Sequence, residues 1–112
     1  MAKRGSRAGE ILRQKLSLII AREVELPGNS LVTIVKAETT ANLKSAKIWI
    51  TITPAENIGL VYGRLRDQTG ELQKSLADEL DWQFTPKLSF RIDRGSQAAE
   101  AVEEILRQIH EE

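Results

Sequence analysis

Apolar residues set the first period in the chain. Leu12, Leu16, Ile19 and Ile20 fall three or four apart, with Glu23 at the same spacing, which predicts an amphipathic helix. Arg7, Arg13 and Lys15 lie elsewhere around it, and Met1 to Ser6, small and charged, are expected to form a flexible arm. Pro27-Gly28-Asn29 stops the helix. The period then drops to two. Leu31 to Glu38 is rich in Val, Ile and Thr and reads as a strand, with apolar residues on both faces that predict a central place in a sheet. Ala46 to Thr53 alternates cleanly: Ala46, Ile48, Ile50 and Ile52 share one face, Lys47, Trp49, Thr51 and Thr53 the other, as in a half-buried strand. The connection 39–45, with Asn42 inside it, suits an antiparallel hairpin with a loop longer than two residues.

Thr53-Pro54-Ala55-Glu56 has the form of a helix start, with Thr53 as cap, Pro54 at the first helical position and Glu56 closing a capping box. Ile58, Val61 and Leu65 carry the helical stripe as far as Gln68-Thr69-Gly70, and Leu72, Leu76 and Leu80 resume it. An internal glycine costs about 1 kcal/mol relative to alanine in a helix. The interruption predicts two helices joined by a kink; a straight rod with one weak spot is the alternative. Trp82 to Pro86 is a connector, and Pro86 to Asp93 is a third strand with Leu88, Phe90 and Ile92 on one face and Lys87, Ser89 and Arg91 on the other. After a turn at Arg94-Gly95-Ser96, a last helix is expected from Gln97 to His110, striped by Ala98, Val102, Ile105, Leu106 and Ile109. The predicted order, α-β-β-α-kink-α-β with an extra C-terminal helix, makes a single domain over residues 1–112, an α+β two-layer sandwich.

Composition narrows the chemistry. The chain has no cysteine and one histidine, His110, expected to be solvated near the chain end, so there is no credible zinc ligand set, and no Ser-His-Asp arrangement stands out. Gly59 and Gly63 precede no Gly-Lys-Ser/Thr and make no phosphate loop. No catalytic residue, metal site, cofactor or small-molecule substrate is expected. The apolar run Leu16 to Ala21 is too short to span a bilayer, and the basic start is not followed by the long apolar stretch of a signal peptide. Formal net charge is zero, which is unusual for a nucleic-acid binder, yet the charge is polarised. Residues 1–50 hold nine Lys and Arg against four Asp and Glu, and residues 51–112 hold seven against twelve. Such an asymmetry points to a basic face.

The order of elements matches the type II KH fold. Three stretches, Leu31-Val32-Thr33-Ile34-Val35-Lys36, Asn42-Leu43 with Ala46-Lys47-Ile48-Trp49-Ile50, and Pro86-Lys87-Leu88-Ser89-Phe90-Arg91-Ile92-Asp93, resemble the ribosome-binding factor A family, over about residues 7–95. That family shows a Val- and Thr-bearing strand, Asp-Leu, Ala-Lys-Val-Tyr/Trp-Val, a kinked helix pair, then Pro-Glu-Leu-x-Phe and an Asp. Here Asn42 stands for the usual Asp, Lys87 for the common Glu, and Gln68-Thr69-Gly70 keeps the glycine but not the alanine of the family's Ala-x-Gly kink. The resemblance implies a type II KH-like fold in a bacterial, cytoplasmic, non-enzymatic factor. Its partners would be the immature 30S ribosomal subunit and 16S rRNA, whose maturation it assists, with importance in the cold. A monomer is expected.

RNA binding needs cations for phosphates and flat groups for bases. Three sets of residues qualify. Lys47, Trp49, Lys87 and Arg91 share the strand faces turned away from the apolar side; Trp49 either stacks a base or merely shields the sheet. Lys3, Arg4, Arg7, Arg13 and Lys15 form the densest basic run, either a phosphate-binding arm or an ordinary solvated helix end. Arg64, Arg66 and Lys74 flank the kink, where Thr69 and Gly70 stand at the turn with which KH domains grip nucleic-acid backbone; a purely structural kink is the alternative. Net neutrality keeps a second function open, a KH-like protein–protein interaction module without RNA.

Overall fold

The computed structural model describes residues 2–93 and Arg107, with side chains from Arg7 onward. Helix α1 (Ala2–Glu23) leads into strands β1 (Leu31–Thr39) and β2 (Ser45–Thr53). A single 3₁₀ turn (Ala55–Asn57) then opens helix α2 (Ile58–Asp67), followed by helix α3 (Thr69–Glu79) and strand β3 (Lys87–Ile92). The sheet has the order β1-β2-β3, with β2 antiparallel to β1 and parallel to β3. A parallel step requires a crossover, and the α2–α3 pair provides it. Among the described residues, helices cover one face of the sheet and leave the other open, the α+β two-layer arrangement expected. The helix expected over 97–110 lies outside the described residues apart from Arg107, which is helical. Helical backbone begins at Ala2, inside the stretch read as an arm.

The core is built from the residues whose spacing announced it. Leu12, Leu16, Ile19, Ile48, Ile50, Ile52, Ile58, Val61, Leu65 and Leu76 have no exposed surface. Each such side chain contributes about 1.5–3 kcal/mol of apolar burial. Ala46 to Ile52 alternate as predicted, all four inward residues buried.

Two expectations fail. β1 is an edge strand and β2 the central one. Apolar residues appeared on both faces of β1 because the strand carries a bulge between Ile34 and Lys36. Val32 and Ile34 face the helices before it, Ala37 and Thr39 after it, and the extra residue Val35 is exposed beside exposed Lys36. A bulge at an edge also discourages pairing with another chain. The capping box is absent too: Thr53 remains in the ladder opposite Leu31, and neither the 3₁₀ turn nor α2 has a side-chain cap. Asn57 instead donates from Nδ2 to Ser30 Oγ at 2.7 Å, tying the start of α2 to the entry of β1.

The kink is real. It falls on Gln68, whose backbone (φ −99°, ψ 8°) leaves the helical region between α2 and α3. The hydrogen-bond chain bridges the break, with Gln68 N–H donating to Arg64 C=O at 3.0 Å and Leu72 N–H to Gln68 C=O at 2.9 Å. Thr69 Oγ1 donates to Leu65 C=O at 2.9 Å and closes the bend. Gly9 serves a different need: a Cβ there would lie 2.2 Å from Ala37 O, so only glycine lets α1 sit this close on β1.

Candidate nucleic-acid interface

Strand register defines the open face row by row. Residues paired across neighbouring strands point the same way, so Lys36, Trp49 and Arg91 form one row, Glu38, Lys47 and Ser89 the next, and Ser45 with Lys87 a third at the sheet's end. The predicted set Lys47, Trp49, Lys87 and Arg91 is thus brought together on one surface, with all three cations exposed.

Trp49 is held in place. Its Nε1–H donates to Glu38 Oε1 at 2.9 Å, and Lys36 Nζ lies 5.8 Å from the ring centroid, within cation–π range. Lys36 also meets Glu38 at 3.2 Å. The indole hydrogen bond above all, then Lys36 and Lys47 nearby, hold the Glu38 carboxyl below the usual carboxylate range. Arg91 Nε donates to Ser89 Oγ at 3.2 Å, which lays its guanidinium along β3.

Lys36 and Glu38 were missed by sequence reasoning. Strict alternation from Ile34 would bury both. Only the bulge turns them outward, and the signal for it was there: two charged residues in phase with a core isoleucine.

Beside this face lies a groove of about 490 Å³ lined by Glu38, Lys47, Lys87, Ser89 and Arg91 together with Thr39, Thr40, Ser45, Ala46 and Leu88. Thr39 Oγ1 is buried and has no hydrogen-bond partner among the described residues. The neighbouring 40–45 turn is well braced. Asn42 Oδ1 accepts from Thr40 Oγ1 at 2.7 Å and from Lys44 N–H at 3.1 Å, while Leu43 takes a positive φ of 61°. Asn42 therefore supplies the acceptor that an aspartate would, and its departure from the family pattern leaves the turn intact.

The remaining predicted residues belong to the helical layer and do not join the sheet face. Lys3 and Arg4 are on the α1 backbone, their side chains outside the described set. Arg7 is exposed and Lys15 half-buried. Arg13 pairs with Glu10 at 2.5 Å. At the kink, Arg66, Gly70 and Lys74 are exposed, but Arg64 donates from Nη1 to the Glu25 carbonyl and so fastens α2 to the turn after α1. Among the described residues, no cluster of three His, Cys, Asp or Glu could hold a metal ion, and no helix is long and apolar enough to cross a membrane.

The family model described as ribosome-binding factor A matches residues 4–106. The chain belongs to the ribosome-binding factor A family. Curated members similar to it include those of Rhodopirellula baltica, 32% identical over 99% of this chain and 82% of the relative. The member from Akkermansia muciniphila is 31% identical over 87% of this chain and 77% of the relative. The fold agrees with the crystal structure of ribosome-binding factor A from Thermus thermophilus, at a TM-score of 0.66 and 18% identity, over 83% of this chain and 99% of that one. Family membership and the ordered stretches read from the sequence therefore coincide.

Proposed function

We propose that the protein is a non-enzymatic, cytoplasmic assembly factor that binds the immature 30S ribosomal subunit as a monomer and assists maturation of 16S rRNA, with its contribution largest in the cold. The observation that carries this reading is the row Lys36–Trp49–Arg91 on a sheet face that none of the described helices covers, in a chain whose family is named for ribosome binding. Cations on either side of a fixed aromatic ring suit phosphates and an unpaired base. Arg7, Arg66 and Lys74, together with the turn at half-buried Thr69 and exposed Gly70, give the helical layer a second set of contacts for phosphate, and Lys3 and Arg4 extend the same run along the α1 backbone.

Sedimentation of cell extract tests the reading. The protein should travel with 30S subunits and scarcely with translating ribosomes; finding it only at the top of the gradient would refute the proposal. Net neutrality favours a second reading, a protein-binding module. Salt separates the two, because binding driven by phosphates weakens steeply as salt rises.

A further inference from the structure

The groove beside the open sheet face has the chemistry of a nucleotide site. Lys47, Lys87 and Arg91 bring three cations to it, Ser45 and Ser89 bring hydroxyls, and Glu38 is the carboxylate. Trp49 stands in the next row, in register with Arg91, its orientation fixed by Glu38. A volume of about 490 Å³ lies within the usual range of small-ligand clefts.

We propose that this groove and Trp49 together take one unpaired nucleotide of an RNA strand, its phosphates on Lys47, Lys87 and Arg91 and its base stacked on the indole. The claim rests on the RNA-binding reading above and specifies the surface and the form of RNA. A duplex cannot serve, because its bases are already stacked and expose no face to the ring. Hydroxyl groups in the groove suit a ribose 2′-OH, which both donates and accepts, so RNA should be preferred over DNA.

The test uses the full chain carrying Trp82→Phe, so that fluorescence reports Trp49 alone. The probes are a short mixed-sequence single-stranded RNA, the same RNA as a duplex, single-stranded DNA of the same sequence, and polyglutamate. Single-stranded RNA should quench Trp49 and bind more tightly than the other three. Trp49→Ala should lower its affinity roughly five- to hundredfold, and Trp49→Phe should restore most of it. Replacing Lys47, Lys87 and Arg91 together by alanine should flatten the salt dependence by about 2 in log–log slope. Unchanged melting would show that each variant is folded. Equal binding of the duplex, quenching by polyglutamate alone, or full RNA affinity in Trp49→Ala would overturn the proposal. If Trp49→Ala leaves both RNA affinity and sedimentation with 30S subunits intact, the groove proposal fails and ribosome binding stands. If RNA quenches Trp49 but the wild-type protein does not sediment with subunits, the groove stands and the ribosomal reading fails.

Discussion

Glu38 holds Trp49 by accepting its indole N–H at 2.9 Å across the β1–β2 pair. The contact exists because the bulge at Val35 advances β1 by one residue, putting Glu38 and Lys36 on the open face with Trp49 between them and Arg91. A side chain that would otherwise rotate is thereby fixed before any ligand arrives, and preorganisation of this kind lowers the entropy lost on binding.

The same contact makes a pH prediction. Glu38 has a depressed pKa in the folded protein, chiefly because the ionised carboxylate is the better acceptor for the indole N–H. The stabilisation is therefore complete above the unfolded carboxylate pKa and is lost as pH falls through the lower, folded value. The Trp49 indole N–H resonance should shift on acidification with a midpoint below the ordinary carboxylate range, and Glu38→Gln should abolish that shift. A midpoint at or above the ordinary range would contradict the geometry.

Gly9 and Gly63 make opposite predictions from the same substitution. At Gly9 a new Cβ would collide with the Ala37 carbonyl, so Gly9→Ala must push α1 off β1. Overpacking of this kind costs about 1–3 kcal/mol. At Gly63, inside α2, a Cβ meets nothing within 4 Å. Gly63→Ala should therefore stabilise by about 0.5–1 kcal/mol through helix propensity alone. Chemical denaturation of both variants checks the pair.

These residues also mark the limits of the sequence. β2 was legible because one face of it is isoleucine or alanine at every second residue, and the helices because their leucines and isoleucines repeat at helical spacing. Lys47, Trp49, Lys87 and Arg91 followed directly from that alternation. The place of β1 did not, because one inserted residue reverses the phase and alternation carries no record of it until Lys36 and Glu38 are seen in step with Ile34. Thr53 looked like a cap, but its pairing opposite Leu31 keeps its backbone in the ladder. Arg64 looked like a hand for phosphate, and the Glu25 carbonyl it holds is distant in sequence. Gly9 drew no expectation, since nothing local announces a strand passing beneath it.

The outer edge of β3 is closed by side chains from the kinked helices. Gln73 Oε1 accepts the Leu88 N–H at 3.0 Å, and Tyr62 Oη donates to the Phe90 carbonyl at 3.2 Å. Tyr62→Phe should cost about 0.5–1.5 kcal/mol, and Gln73→Ala about 1–3 kcal/mol because it strands a partly buried N–H. Hydrogen exchange should show faster exchange at Leu88 in Gln73→Ala, with Ile50 unaffected. Equal protection at Leu88 in wild type and variant would mean that Gln73 does not cover this edge.

Gly70 separates structure from function at the kink. The bend itself belongs to Gln68, and Gly70 sits in the first turn of α3, exposed, with nothing within 4 Å of an added Cβ and no positive φ to relieve. The fold alone thus gives no reason for glycine there, and Gly70→Ala should leave stability unchanged or raise it by up to about 1 kcal/mol. A position that the free protein does not require to be glycine is explained if a ligand backbone passes close over it. On that reading Gly70→Ala lowers affinity for 30S subunits while the melting temperature holds or rises. Thr69→Ala, which removes only the hydrogen bond to Leu65, should instead lower stability and affinity together. If both variants bind subunits as well as wild type, the kink is structural alone, and RNA contact is confined to the sheet face and the α1 cations.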